Sequence, residues 1–260
     1  MRTHLLATAG VAALLAAMSA QAQTITGGVA KQRSRATGHS RARHARGRRG
    51  SVLVAASTAT LALLAATSST HAQTNWTGAV STNWFTAGNW DAGVPTVVTN
   101  ANIDTVSANP TVVATPGGTA LNLAVGQSGT GILTIQSGGT VFDISGAVAN
   151  SQGSQGTVTV SGAGSTWTNM TNVVVGGQGT GTLTIQNGGM VNSAIGGSVG
   201  LAVGSSGTVT VTGPGSSWNN SPGGVLIGAF GTAALTVADG GTVTSGGLLS
   251  WLVTPDRSER

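Results

Sequence analysis

Two adjacent stretches of the sequence, GTLTIQNGGMV (residues 181–191) and GTVTVTGPGSSW (residues 207–218), share one pattern. Each opens with Gly-Thr, which is followed by an apolar-Thr-apolar triplet. The same triplet recurs along the chain around five central threonines, Thr134, Thr159, Thr184, Thr210 and Thr236. These threonines are separated by 25, 25, 26 and 26 residues. Such regular spacing is the signature of a repeat protein built from one supersecondary unit.

A third element follows each triplet and alternates between two residue types. Seven or eight residues after the central threonine stand, in order, Val141, Trp167, Val191, Trp218 and Val243. The units are therefore of two kinds, and the pair recurs every 50–52 residues. We predict structural roles for Trp167 and Trp218 inside the repeat.

Each unit is predicted to hold three short strands separated by corners. The triplet alternates strictly, which places its aliphatic residues inward and its threonine outward. Glycine pairs recur between the segments, where a chain that turns a corner needs positive φ angles. We predict an all-β, right-handed parallel β-helix, a solenoid of about five coils of about 25 residues each. Stacked about 4.8 Å apart, the five threonines would form an external hydroxyl ladder.

The segment before the repeats is rich in tryptophan. Residues 73–120 are predicted to form an N-terminal cap and the first strands, and they contain Trp76, Trp84 and Trp90. Because the open end of a solenoid exposes unpaired backbone groups and apolar surface, we interpret these three side chains as a hydrophobic lid. Exposed tryptophans that stack on sugars are the alternative.

The first 72 residues resemble two export leaders in succession. Residues 1–22 have a basic start, an apolar stretch and small residues at a cleavage position, and residues 31–72 repeat that order with a long basic segment. The alternatives are a mis-assigned start or one unusually long signal, and cleavage is predicted before Gln23 or Gln73. A disordered or helical leader is expected. RNA binding by residues 31–49 is the minor alternative.

Most of the positive charge belongs to this leader. The chain has a formal net charge of +5, but nine of its eleven basic residues lie between Arg2 and Arg49. From Gln73 onward there are six acidic and two basic residues, a net charge of −4. A mature chain that begins there is not expected to bind nucleic acid.

The repeats are predicted to occupy residues 121–247, followed by an atypical tail at residues 248–260. After Gly247 the pattern gives way to LLSWLVTPDRSER, in which no further coil is predicted. A truncated or frameshifted end is the preferred interpretation, and a short native cap is the alternative.

The body of the chain is poor in groups that do chemistry. After residue 72 there is no His, Lys, Cys or Tyr, and the whole chain has no cysteine, which excludes a disulfide scaffold and a thiolate metal site. We interpret Asp143 and Asp239 as corner or surface residues on different segments, too far apart to act as a pair. No catalytic residue, cofactor or metal site is predicted.

The alternating units, together with the preceding W…W…NW…G-V-P…ID region, resemble the type V secretion and PEP-CTERM-associated repeat of Gram-negative bacteria. The resemblance covers residues 75–247. It implies a β-helical autotransporter passenger, carried to the cell surface by a C-terminal outer-membrane barrel. Neither the alternating strands of such a barrel nor a PEP-CTERM sorting tail follows the repeats in this sequence.

The sequence therefore predicts an exported, non-enzymatic repeat protein of the cell surface or the extracellular space, or of the periplasm if no barrel carries it. Adhesion, self-association or contact with surface polysaccharide or a host surface are the expected activities, and the export machinery or a barrel is the expected link to the membrane. A carbohydrate-active lyase or hydrolase is the alternative, and a gene remnant without a role of its own is a third.

Overall fold

The computed structural model describes residues 72–247 and the backbone of a strand at residues 249–251. The predicted leader through residue 71, its disordered or helical character and the end of the tail lie outside the described residues. Within the described part the chain is almost entirely strand and turn, with one 3₁₀ turn at Ala87–Asn89. No helix of the described residues is long and apolar enough to cross a membrane.

The described residues form three parallel sheets, and each sheet receives one strand from every coil. The first sheet has eight strands: β1 (Ala72–Asn75), β2 (Thr99–Ile103), β5 (Asn122–Val125), β8 (Ser145–Val148), β11 (Asn172–Val175), β14 (Gly196–Val199), β17 (Gly224–Ile227) and β20 (Leu249–Trp251). The second has six: β3 (Thr111–Val113), β6 (Thr130–Gln136), β9 (Gln155–Ser161), β12 (Thr180–Gln186), β15 (Ser206–Thr212) and β18 (Thr232–Ala238). The third also has six: β4 (Gly118–Thr119), β7 (Thr140–Asp143), β10 (Thr166–Asn169), β13 (Met190–Ser193), β16 (Ser217–Asn220) and β19 (Thr242–Ser245).

This order confirms the predicted all-β parallel solenoid. β1 and β2 pair in the first sheet; from β2 onward successive strands enter successive sheets, so that each strand from β5 on pairs with the strand three places before it. Buried and partly exposed residues alternate along the strands, as in β12, where Leu183 and Ile185 are buried and Thr184 between them is partly exposed. The core is the column of aliphatic and tryptophan side chains enclosed by the three sheets.

The predicted number of coils was too low. The described residues form six complete three-strand coils with β1 before them and β20 after them, about seven turns. The coil of β2, β3 and β4 precedes the first recognisable triplet, and its Val112 lies opposite Thr134, where later coils carry threonine. Because that coil lacks the threonine, the repeat pattern alone did not identify it.

One further strand follows Gly247, where no further coil was predicted. Strand β20 pairs in parallel with β17, with Leu249 opposite Val225 and Trp251 opposite Ile227. The first sheet thus continues into the segment that was interpreted as an atypical tail. The segment lacks the Gly-Thr-x-Thr pattern, but a strand of the first sheet needs only a short extended run to pair with the strand before it.

The corners between the second and third sheets explain why glycine recurs there. In alternate coils a two-residue turn has positive φ at both positions, as at Asn187 (54°) and Gly188 (82°). Asp239 (51°) and Gly240 (84°) form the same turn two coils later. Asn and Asp tolerate the left-handed region better than other non-glycine residues, which accounts for their place before the glycine.

Candidate functional site

The predicted hydroxyl ladder is a single file on the outer face of the second sheet. The strand register places Thr134 opposite Thr159 and Thr159 opposite Thr184. Thr210 and Thr236 continue the same file at the next two strands. Each of the five side chains is at least partly exposed. The face they form is flat and uncharged, and it offers hydroxyl groups that both donate and accept hydrogen bonds.

A groove of about 370 Å³ lies on the outer face of the first sheet, near the N-terminal end of the solenoid. Its floor includes Ala124 and Ala147, which lie opposite each other in β5 and β8. Its polar lining consists of amides and one hydroxyl, from Gln73, Asn100, Asn102, Asn122, Gln127, Ser145 and Asn150. The volume is within the range of about 300–1,000 Å³ typical of small-ligand sites.

Two amide pairs stand on opposite sides of the alanine floor. On one side Asn122 Nδ2 donates to Asn100 Oδ1 at 2.9 Å, and both residues precede the floor position in their strands. On the other side Asn150 Nδ2 donates to Gln127 Oε1 at 3.2 Å, in the turns that follow β8 and β5. The turns are made by Gly126 (φ 75°) and Ala149 (φ 59°).

The carboxylates nearest this end of the solenoid are already engaged. Asp91 accepts hydrogen bonds from the backbone N–H and side-chain amide of Asn75, both at 2.7 Å. The hydrogen bond from the Asn75 backbone is the main reason that the pKa of Asp91 lies below its ordinary value. Asp104 accepts from the backbone N–H groups of Ser128 and Gly129 and from the Ser128 hydroxyl. Both carboxylates therefore hold neighbouring chain segments together.

The interpretation of Asp143 as a corner or surface residue was wrong. Its side chain is fully buried at the end of β7, where Trp167 Nε1 donates to Oδ2 at 2.7 Å. Burial raises the pKa of Asp143 to about 8, against the opposing effect of the tryptophan hydrogen bond. At neutral pH this carboxyl keeps its proton, and it lies inside the solenoid, where no substrate reaches it.

Asp143 begins a file of polar side chains inside the molecule, beside the tryptophans. Asn169 lies opposite Asp143 in the next strand, and Ser193 lies opposite Asn169. Asn220 is also fully buried, two residues after Trp218. Among the described residues, Asp143 Oδ1, Asn169 Oδ1 and both polar side-chain atoms of Asn220 have no hydrogen-bond partner. This file was not predicted from the sequence, although each member stands two residues after an inward residue and alternation places it inside.

The three tryptophans of the predicted lid pack against one another and are buried. Trp90 makes edge-to-face contacts with Trp76 and Trp84, with ring centroids 5.1 and 4.8 Å apart. The relative exposure of these side chains is 4% or less, so none presents a face on which a sugar ring could stack. The segment that carries Trp84 also covers the free edge of β3, the first strand of the second sheet. There Trp84 N donates to Val112 O, and Val112 N donates to Thr82 O.

Asn89, which the sequence analysis did not single out, organises this lid. Its Oδ1 accepts from the backbone N–H groups of Val80 and Ser81 at 2.9 and 2.8 Å. Its Nδ2 donates to the Ser81 hydroxyl and to the carbonyl of Asn83. A fully buried asparagine with all these partners holds the loop that carries Trp84.

The structure places Asp143 and Asp239 apart, as the sequence predicted. Asp239 lies exposed at its corner, where its Oδ2 accepts from the Thr212 hydroxyl at 2.8 Å. Asp143 lies inside the solenoid at the end of β7, four coils earlier. Within the described part of the chain, no three His, Cys, Asp or Glu side chains are close enough to hold a metal ion.

No family model, curated protein or solved structure matches the chain. The class of protein that the structure itself defines is a parallel β-solenoid of about seven turns.

Proposed function

We propose that the chain is an exported, non-enzymatic β-helical surface protein of the autotransporter-passenger type. It contacts polysaccharide or another surface through its uncharged outer faces. The resemblance of residues 75–247 to the type V secretion and PEP-CTERM-associated repeat, together with the two leader-like segments, supports export. The strand register that aligns five threonines on one outer face supports contact through a repeated polar surface.

The observation that carries the non-enzymatic part is the state of the four aspartates in residues 72–247. Acid–base catalysis needs titratable groups that converge on one accessible place. Asp91 and Asp104 bind neighbouring segments, Asp143 is buried, and Asp239 bonds Thr212 at a corner. Residues 72–247 also include no histidine, lysine, cysteine or tyrosine that could serve in place of these aspartates.

Two measurements test this proposal separately. N-terminal sequencing of the protein recovered outside the cytoplasm is expected to find a start at Gln73 or Gln23, and retention of the intact leader in the cytoplasm would contradict export. Incubation of the purified chain with neutral and acidic polysaccharides is expected to release no new reducing ends and no unsaturated products. Cleavage that survives repurification would contradict the non-enzymatic assignment.

A further inference from the structure

The amide-lined groove on the first sheet differs from the rest of the outer surface. The threonine face repeats over five consecutive coils, whereas the groove is concave and is lined by residues of the first five strands of the sheet and of the turns after β5 and β8. We propose that this groove binds a short segment of an uncharged polysaccharide. The inference rests on the proposed function as a surface protein and assigns it a particular site and ligand class.

The two amide pairs leave hydrogen-bonding groups free on both sides of the groove. In each pair one N–H···O bond uses one oxygen and one hydrogen, so a carbonyl oxygen and an amide nitrogen remain available whichever way the amides are turned. A sugar hydroxyl is both a donor and an acceptor, and it can bond to an amide through both of its groups. A short sugar chain in the groove could therefore hydrogen-bond on both sides. Its hydroxyls would bond to Asn100 and Asn122 on one side and to Gln127 and Asn150 on the other.

The floor of the groove suits the apolar part of a sugar ring. Ala124 and Ala147 carry methyl groups only, and they continue to Val174 in the next strand. Small side chains here leave room that a larger outward residue would fill. A site with an apolar floor and a few polar groups along its sides has the composition usual for small-ligand sites.

The charge of the surroundings selects a neutral ligand. Residues 72–247 contain no lysine, arginine or histidine, so no cation is available for a uronate, a phosphate or a nucleic acid. Asp91 and Asp104 lie at the same end of the solenoid and disfavour anions further. An extended peptide is disfavoured too, because β2, β5 and β8 are each paired on both sides and leave no backbone edge for an added strand.

On the turn side of the groove, the file of amides ends after Asn150. The register of the turns places Gln127, Asn150 and Gly177 in one file, since Asn150 N donates to Gly126 O and Gly177 N donates to Ala149 O. Gly177 has no side chain to continue this file. The next strand of the first sheet, β14, carries Ser198 at the position that Ala124 and Ala147 occupy in the floor of the groove. The site is therefore restricted to a few sugar units.

The test uses affinity electrophoresis of the exported chain, purified after removal of the leader, because the nine basic residues of the leader would bind acidic probes by themselves. The gels contain dextran, laminarin or hydroxyethyl cellulose as neutral probes, and alginate or polygalacturonate as acidic ones. We expect retardation by at least one neutral probe and none by the acidic probes. The double variant Asn100→Leu/Asn122→Leu keeps the side-chain size but removes one amide pair, and it is expected to weaken binding at least about tenfold. Ala147→Trp, which fills the floor, is expected to abolish it.

Ser198→Trp serves as the matched control, because it adds the same bulk in the same outward file beyond the groove. It is expected to bind as the parent does, with unchanged melting temperature. Thr159→Val, which removes a hydroxyl from the threonine face, is the comparison variant that reports contact through that face instead of the groove. Thermal unfolding of the groove variants identifies any loss that comes from misfolding, and in that case Gln127→Leu/Asn150→Leu, on the other side of the floor, replaces them.

The outcomes separate this inference from the proposed function. Neutral binding that is lost in the groove variants and kept in the controls supports the groove. Neutral binding that is lost in Thr159→Val and kept in the groove variants overturns the groove but leaves glycan contact by the threonine face. Preference for the acidic probes overturns the inference. Absence of binding to every probe overturns it together with polysaccharide contact, while export and lack of cleavage are measured independently.

Discussion

The indole of Trp218 occupies the space inside the solenoid that a side chain at Gly197 would need. A Cβ at Gly197 would lie 2.4 Å from Cζ2 of Trp218, and a Cβ at Gly146 would lie at the same distance from Cζ2 of Trp167. In the coils that alternate with these two, the third sheet carries valine, and the first sheet carries Leu123, Val173 and Val225 in the glycine file. The two alternating unit types are therefore two ways to fill the same cross-section, tryptophan with glycine or valine with a branched aliphatic residue.

This complementarity predicts that position 197 and position 218 are coupled. Gly197→Val alone overfills its coil and is expected to lower the free energy of unfolding by about 1–3 kcal/mol. Trp218→Val alone leaves a cavity over Gly197 and is expected to cost about 3–5 kcal/mol. The double variant recreates the arrangement of Val173 and Val191, so its cost is expected to be at least about 1 kcal/mol less than the sum. Chemical denaturation measures all three; strictly additive costs would contradict complementary packing.

Substitutions on the inner face of β12 are predicted to lower the free energy of unfolding much more than substitutions on its outer face. Leu183 is fully buried, and Leu183→Ala is expected to lower the free energy of unfolding by about 2–5 kcal/mol through lost burial and a cavity. Thr184 next to it faces outward, and Thr184→Val is expected to change stability by less than about 0.5 kcal/mol. The same denaturation assay compares them, and a larger cost for the threonine variant would mean that the alternation is inverted.

Asp143 is predicted to make the folded state less stable as the pH rises from about 4 to 8. Its pKa is about 8 in the folded chain and near the ordinary value of 3.8 when unfolded, so the folded state alone keeps the proton between these limits. The contribution of this proton to stability is fully present below the pKa of the unfolded chain, and it is lost as the pH rises through the pKa of the folded chain. The melting temperature of the parent, measured across this range, is therefore expected to fall.

Asp143→Asn provides the control for this pH dependence, because the amide cannot ionise and can still accept from Trp167 Nε1. Its melting temperature is expected to vary less between pH 4 and 8 than that of the parent. Asp91 acts in a different window: its pKa is lowered, so its contribution is present above the ordinary pKa and lost as the pH falls through the folded pKa. If the melting temperature changes with pH equally in the parent and in Asp143→Asn, a group other than Asp143 causes the pH dependence.

Asn89 is predicted to be the most sensitive polar residue of the tryptophan lid. Asn89→Ala leaves the N–H groups of Val80 and Ser81 and the carbonyl of Asn83 without their side-chain partner, which is expected to cost at least about 1–3 kcal/mol. Hydrogen exchange at these amides is expected to accelerate. Asn83→Ala, which removes one exposed bond to Phe85 N, is the matched control. Equal effects of the two variants would mean that Asn89 has no special role.

The repeat period and the alternation of the triplet were sufficient to predict a parallel solenoid. Both are local properties: alternation assigns each residue of a strand to one face, and equal spacing returns the chain to the same sheet. The threonine file follows from them, since Thr159 and Thr184 occupy the same position in consecutive units. The same rule could have placed Asp143 inside, because it stands two residues after the inward Val141.

Other features depend on residues that local patterns do not relate to one another. That Gly197 makes room for Trp218, and that Asn89 supports Trp84, could be seen only when strands and loops were folded together. The groove also arises in this way, from Asn122 in a strand, Asn150 in a turn and Ala124 between them. Alternation along a strand is imposed by the backbone of that strand, whereas cavity filling and concave surfaces depend on how separate strands face each other across the molecule. For this reason the amino-acid sequence determined the architecture, and the tertiary structure decided which residues share a site.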